Sequence, residues 1–333
     1  MLERTRLTLL GGAMAIAVAV TAMPVQSATL KVSACFPRNH DYVEAFFDAF
    51  LTPLKSNKVG LKMHYLGGPE VTPRKKQAPA LKRGLIDVIY CPAAYYGGLF
   101  SEARLPGLQN QSLEEIRANG AYDMMQEAWG KNLNAHILSW NFFHGQKFFV
   151  YTRFKPKYSE TTGLDLAGIK MRSTGLYQPF LKAMGATPIN ISPGDVYSAL
   201  ERGLVGGLAW PWGSVAKYGW QRFLKYRIEP DFYGATMLML VNKKKWMSLS
   251  QPQRDTLTAS ARSYEKNADA IVSTKGHVDD KKLKEAGMEF IKLEGKVKAA
   301  YIKTIYEAKW AQNDKLKYSV DYKKLKSKLF QPK

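Results

Sequence analysis

The chain has 333 residues, 46% hydrophobic and 12% aromatic, an ordinary globular composition that provides for one large or two medium domains. Its formal net charge of +21 would suit a nucleic-acid binder, yet there is no arginine-rich run and no nucleic-acid motif, and the N-terminal leader argues against that class, so no nucleic-acid partner is expected. The lysines, densest from Lys296 to Lys333, read as solvated surface whose positive field draws small anions or an anionic membrane surface.

Arg4 and Arg6 precede an apolar stretch from Leu7 to about Met23, followed by Pro24 and the small residues Ser27 and Ala28. This is the pattern of a secretory signal peptide over 1–28, and the stretch is shorter than the ~20 apolar residues of a comfortable membrane span. The expected address is the periplasm. No later segment is long and apolar enough to cross a bilayer.

The mature region alternates strand and helix. Leu30–Phe36 reads as a strand, Asp41 to about Leu54 as an amphipathic helix and Val59–Tyr65 as a strand; Leu66-Gly-Gly-Pro69 breaks the chain before a helix from Pro73 to Arg83 and a strand Ile86–Cys91. That is a βαβαβ half of a doubly wound sheet, in which ligands meet the carboxyl ends of the strands. Cys35 and Cys91 fall at the carboxyl ends of neighbouring strands. An oxidising compartment permits a disulfide there, but adjacent parallel strands do not guarantee its geometry.

A helix from Leu113 to about Leu133 follows, then an aromatic strand region from His136 to Thr152 that crosses between lobes. A second α/β set comprises the strand Ile169–Arg172, a helix from about Tyr177 to Met184 and the strand Pro188–Ile191. Tyr233 to Asn242 is another crossing strand. Helical segments at Gln251–Ser273, Val278–Glu285 and Lys296–Trp310 close the chain and pack across both lobes.

An internal echo ties the halves together. Ala80-Leu81-Lys82-Arg83-Gly84-Leu85-Ile86-Asp87 recurs as Ala199-Leu200-Glu201-Arg202-Gly203-Leu204-Val205-Gly206, and Cys91-Pro92-Ala93 is answered at the same offset by Trp210-Pro211-Trp212. Thr72-Pro73 and Ser192-Pro193 open the two helices alike, as a hydroxyl N-cap followed by proline, and Ser192-Pro-Gly-Asp195 has the capping-box form. Two such units predict two lobes of one architecture with a cleft between them. Lobe I is expected over 29–140 plus part of 233–275, and lobe II over 141–232 plus part of 276–333.

Catalytic signatures are missing: there is no Gly-x-Ser-x-Gly, Walker-type loop, dinucleotide-binding glycine pattern or His-Glu-x-x-His. The five histidines show no metal-ligand spacing, so neither metal nor cofactor is expected. Arg172 stands out instead, at the end of the strand Gly168-Ile-Lys-Met-Arg and just before a helix start at Ser173-Thr174-Gly175. A guanidinium there, beside free helix amides, is placed to grip a carboxylate.

Gly168-Ile-Lys-Met-Arg172, the run from Ile191-Ser-Pro-Gly-Asp195 through Tyr197, Ala199-Leu200 and Gly203 to Gly207, and Leu240-Val-Asn242-Lys resemble the solute-binding proteins of TRAP (tripartite ATP-independent periplasmic) transporters. The resemblance covers nearly the whole mature chain. It implies a two-lobed periplasmic-binding-protein (Venus flytrap) α/β architecture with crossing strands and a long helix behind both lobes. It also implies that Arg172 pairs with a ligand carboxylate, that the protein is a receptor rather than an enzyme, and that its partner is a two-subunit membrane permease driven by an ion gradient. A monomer is expected.

Departures from the family pattern point to the ligand. The usual Gly-x-Arg is Gly145-Gln146-Lys147 here, which keeps the charge but not the planar fork. Where the family places an asparagine after Val-Asp-Gly, this chain has Val205-Gly206-Gly207 and then Trp210. Of Trp210 and Trp212, one is expected to line the cleft. Phe36, Tyr95, Tyr96, Trp140, Phe142 and Tyr177 fall at presumed cleft edges and favour a flat aromatic ligand. The expected ligand is an aromatic monocarboxylate of hydroxycinnamate or benzoate type, with Arg38, Asn39 or His40 meeting a distal hydroxyl. The alternatives are a C4-dicarboxylate, 2-oxo acid or sugar acid, with Lys147 and Arg38 at the second polar end, and, more remotely, an exported enzyme on the same scaffold.

Overall fold

The computed structural model describes residues 27–143 and 148–330. The expected leader falls almost wholly, and Lys147 entirely, outside the described residues. In chain order the strands are β1 (Ala28–Ala34), β2 (Leu61–Gly67), β3 (Val88–Cys91), β4 (Ala135–Phe143), β5 (Phe148–Thr152), β6 (Lys157–Ser159), β7 (Gly163–Asp165), β8 (Lys170–Ser173), β9 (Thr187–Asn190), β10 (Gly207–Pro211), β11 (Tyr226–Phe232), β12 (Ala235–Asn242) and β13 (Glu289–Lys292). Apart from the β6–β7 hairpin they form two sheets, ordered β2-β1-β3-β12-β4 and β13-β11-β5-β10-β8-β9.

Both sheets follow one plan. In each, the first strand of a βαβαβ unit lies between the second and third in parallel pairing, and an antiparallel crossing strand pairs with the third. The crossing strands are exchanged: β5 reaches the second sheet directly after β4 leaves the first, and β12 returns to the first directly after β11.

The sequence echo marks corresponding places in this plan. The helices Arg74–Lys82 and Val196–Glu201 end at Gly84 (φ 76°) and Gly203 (φ 66°), left-handed positions that glycine takes without a Cβ clash. Their closing bonds match, Gly84 N to Leu81 O and Leu85 N to Ala80 O against Gly203 N to Leu200 O and Leu204 N to Ala199 O, all at 2.9–3.0 Å. Each stop then feeds the third strand of its unit.

The predicted helix starts differ in detail. Pro73 itself is the N-cap and no side chain caps that helix; Ser192 opens a 3-10 turn at Pro193–Asp195, again without a side-chain cap, so the capping box does not form. The proline sets φ for a turn, and the turn already satisfies the Asp195 amide through the Ser192 carbonyl (3.0 Å). The helix expected from Leu113 is likewise interrupted, at Gly120 (φ 82°), into Leu113–Ala118 and Ala121–Leu133.

The two helices expected at Gln251–Ser273 and Val278–Glu285 are one helix of 35 residues, Gln251–Glu285. At 1.5 Å per residue it runs about 52 Å. A stripe at i, i+3 and i+4 spacing (Leu257, Ala261, Tyr264, Ala268, Val272, Gly276, Asp279, Leu283) is buried along it. Gly276 is a packing site rather than a stop, because a Cβ there would stand 2.8 Å from the Trp212 ring. The strand β11, the four-residue β13 and the helix Tyr322–Leu329 have no counterpart in the sequence reading. Pro230 inside β11 obscures its strand pattern, and β13 and the last helix are too brief to register before the sheet edge is in place.

Cys35 and Cys91, at the ends of the adjacent strands β1 and β3, are joined in a disulfide with Cα atoms 5.1 Å apart. It lies beside the cleft, with the Tyr96 hydroxyl 2.7 Å from the Cys91 sulfur.

Candidate functional site between the lobes

Strands β1, β3, β8 and β10 end at the cleft, and their last residues build the site. Arg172, on β8, is 1% exposed. Its Nε donates to the Ile191 carbonyl at 3.1 Å and its Nη1 to the Ala209 carbonyl at 3.4 Å, while Nη2 has no hydrogen-bond partner in the described structure. Burial holds its pKa below the ordinary arginine value; the Tyr95 and Tyr177 phenols oppose that shift and Arg74 adds to it. A guanidinium fixed by two main-chain carbonyls, beside the Tyr95 phenol and with its Nη2 edge unpaired, is placed to meet an anion.

That edge faces a cavity walled by Phe36, Tyr95, Phe148, Tyr177 and Trp210, with the hydroxyl-bearing Thr174 and Thr236 also on its lining. The Trp210 ring lies 4.9 Å from the guanidinium carbon. Other rings meet edge-on or tilted, Phe148 with Tyr177 at 5.4 Å and Phe36 with Tyr95 at 5.9 Å between centroids. The cavity is tight, about 40 Å³, room for only a few waters at roughly 10–15 Å³ each. Past Tyr95, Ala94, Thr174 and Leu176, which line both spaces, it adjoins a larger chamber of about 340 Å³.

Of the sequence candidates, Arg172, Trp210, Phe36, Tyr95 and Tyr177 come together at this cavity. The others do not. Trp212, just past the end of β10, is turned towards the long helix, where its indole N–H donates to Asp280 at 2.9 Å and its ring sits against Gly276 and His277. Trp140 is in the core of the first sheet beside Tyr122, since β4 is separated from the cleft by β12. Arg38 and Asn39 are exposed, and the Arg38 guanidinium lies 3.6 Å over the Phe47 ring, away from the cavity. Tyr96 is directed to the disulfide. Lys147 and the Phe142 side chain lie outside the description.

The helix amides expected to assist Arg172 are occupied. The Leu176 amide donates to the Thr174 hydroxyl, and those of Tyr177 and Gln178 to the Thr174 carbonyl. Phe148, Thr174, Thr236 and the basic residues of the outer chamber escaped the sequence reading. Arg74 could have been found, because it begins the echoed helix whose counterpart reaches the same cleft.

His40 supports the cavity from behind. Its ring centroid is 4.0 Å from that of Phe36 and 6.1 Å from that of Trp210, its Nδ1 accepts from the Tyr42 amide at 3.2 Å, and Nε2 has no partner. Burial pushes its pKa down to about 4 from the usual 6.5, with Lys217 acting in the same sense and Asp41 and Glu44 against it. The unfolded chain takes up this proton as pH falls below 6.5, whereas the folded chain resists until about 4. Stability is therefore full above pH 6.5 and declines as the pH drops towards 4. At roughly 1.4 kcal/mol per pH interval of one, the loss is on the order of 3 kcal/mol. Urea unfolding at pH 7 and pH 4.5 checks this: the decline should be smaller in His40→Gln than in the unsubstituted protein.

The lobes touch around the site. Ser214 and Lys217, in the turn after β10, bond to Asp41 at 2.5 and 3.0 Å, and Lys217 and Lys275 hold Glu44 at 2.9 and 2.5 Å. Asp279, on the long helix, accepts from the amides of Val215, Ala216 and Lys217 and so fixes that turn. The geometry is that of two lobes shut over a buried cation.

Comparison with known proteins agrees with this architecture. Residues 70–313 match the model of the bacterial extracellular solute-binding protein family 7. The chain belongs to that family, the solute-binding proteins of TRAP transporters. A solute-binding protein of Roseobacter denitrificans is 22% identical over 142 residues, 40% of this chain, and the match spans about two fifths (42%) of that relative's length. Among solved structures, a TRAP periplasmic solute-binding protein of R. denitrificans with bound 3-deoxy-D-manno-oct-2-ulosonic acid aligns at TM-score 0.76 and 18% identity, covering 91% of this chain and 99% of its own. One from Bordetella bronchiseptica, with copurified calcium and picolinate, aligns at TM-score 0.76 and 20% identity over 91% and 92%. Another, from Desulfovibrio salexigens with bound orotic acid, aligns at 0.72 and 16% over 86% and 92%. At such identities the likeness establishes the two-lobed fold of this family 7 protein. No helix among its described residues is long and apolar enough to cross a membrane, and they contain no cluster of side chains suited to a metal ion.

Proposed function

We propose that this protein is the periplasmic receptor of a TRAP transporter, exported by its own leader and acting as a monomer, and that it captures an aromatic monocarboxylate. The observation that carries the reading is the buried Arg172 guanidinium, one edge unpaired, beside the Trp210 ring in a cavity walled by further aromatic side chains. A carboxylate on Arg172 supplies the counter-charge that the closed site lacks, and a flat ring can stack or meet edges with Trp210, Phe148 and Tyr177. Similar proteins hold ring-borne carboxylates, orotic acid in one and picolinate in another, which supports the class.

Capture proceeds by closure. The ligand binds to one lobe, its contacts with the other exist only when the cleft shuts, and that difference in affinity shifts the equilibrium to the closed form, which docks on the permease. The ligand should leave unchanged, as a receptor requires and an enzyme does not.

Tryptophan fluorescence of the protein titrated with p-coumarate, benzoate, succinate and a 2-oxo acid tests the reading. Saturable quenching by an aromatic acid is expected, reduced in amplitude in Trp210→Phe because the reporter ring is gone. Saturation by succinate or the 2-oxo acid alone would retain the receptor and discard the aromatic ligand.

A further inference from the structure

The chamber outside Tyr95 has no assigned role, and its charge is one-sided. Four basic residues line it, Arg74, Lys75, Arg104 and Lys309, and no aspartate or glutamate does. Two of the four are deeply buried, Arg74 at 7% and Lys309 at 1% exposure. Lys309 donates only to the neutral oxygens of Gly175 (3.2 Å) and Gln312 (3.0 Å). Arg74 gives one bond, Nη2 to the Asn190 side chain at 3.2 Å, and its Nη1 is buried without a partner.

Burying cations costs several kcal/mol each unless an anion compensates, so a chamber holding two without one is built for a partner it does not contain. Lys309 registers this cost. Its pKa is pushed down to about 7, first by burial and then by Arg104. The chamber is also in register with the inner cavity: Arg74 is held by Asn190 and Arg172 by the next residue, Ile191, while the Tyr95 ring lies between, 4.6 Å from the Arg74 guanidinium carbon.

We propose that Arg74 and Lys309 form a second anion subsite, which takes a further anionic group at the far end of a ligand whose first carboxylate is on Arg172. This rests on the receptor reading and extends it: an acid of the proposed class that carries a second anionic group at its far end should be preferred to the monocarboxylate. The two spaces adjoin at Tyr95, so a ligand held at Arg172 can extend past that ring into the space of about 340 Å³. Arg74 also bridges the lobes through Asn190, so an anion bound there would meet both of them.

Calorimetric titration of the protein at constant ionic strength with two matched pairs, benzoate against terephthalate and hexanoate against adipate, tests the subsite. In at least one pair the dianion should bind about tenfold more tightly or better. Arg74→Gln should bring that ratio close to one. Lys309→Met, which leaves the lobe-bridging contact in place, should lower it as well and guards against a defect of closure in the first variant. Arg172→Ala should weaken both members of the pair. Equal affinities within both pairs, a preference that persists in both substituted proteins, or no binding by any of the four compounds would overturn the proposal. A dianion preference confined to the aliphatic pair would sustain the second subsite and sink the aromatic reading. A chamber that only steers anions inward would alter association rates in the variants and leave the affinity ratio intact.

Discussion

Replacing Arg172 by alanine should abolish useful affinity. The bound carboxylate would stay buried with its main counter-charge removed, at a cost of about 3–5 kcal/mol. That corresponds to a rise in Kd of roughly two to three and a half decades. Two further consequences follow from how the residue is held. The carbonyls of Ile191 and Ala209 lose the donors that fix the end of β8 against its neighbours, so a modest loss of thermal stability should accompany the loss of binding. Arg172→Lys keeps the charge but cannot serve Ile191, Ala209 and a ligand at once with a planar fork. It should therefore fall between the two, about tenfold or more weaker than the unsubstituted protein. Titration of the three proteins with whichever acid saturates the native fluorescence is the measurement. Normal binding by Arg172→Ala would falsify the carboxylate assignment.

Removing the Cys35–Cys91 disulfide should lower stability by about 2–4 kcal/mol without a comparable loss of affinity. The bond closes a loop of sequence separation 56. In the chain-entropy account, a loop of that size restricts the unfolded state by about 4 kcal/mol, and relaxation of the double variant sets the lower figure. The cysteines are not on the lining of the Arg172 cavity, and the main-chain pairing of β1 with β3 that positions Phe36 survives their loss. Denaturant unfolding of a Cys35→Ala, Cys91→Ala double variant checks the magnitude. A thiol assay on the unfolded native protein, without reductant, should find no free thiol. Reductant should destabilise the native protein and leave the double variant unmoved; equal sensitivity of the two would remove the disulfide from the account.

The departures from sequence-based expectation share a physical cause. Trp210 and Trp212 are two residues apart and equally aromatic, and if their strand simply continued both would share one face. The strand ends at Pro211, the chain turns at Gly213 and Ser214, and Trp212 is carried across to the long helix. Arg38 and Arg74 are both cations near lobe I strand ends. Which of them meets the cleft depends on packing: Arg38 finds the Phe47 face, and Arg74 finds Asn190 from the opposite lobe. Gly276 could end a helix or admit a ring, and the choice was made by Trp212, distant in sequence. Such outcomes depend on partners that local patterns do not name.

By itself the sequence determined the alternation of strand and helix, the echo of two helix-stop-strand units, the family, and the place of Arg172 at the end of a strand. Each follows from short-range rules of periodicity, turn chemistry and motif spacing. Tertiary structure alone decided which aromatic rings close on that guanidinium, that the two cysteines join, and that Arg74 and Lys309, far apart in the chain, face one chamber without an acidic partner. The reason is that burial and the pairing of charge are properties of the assembled lobes. A side chain's neighbours across a cleft come from segments whose approach is set by the whole fold.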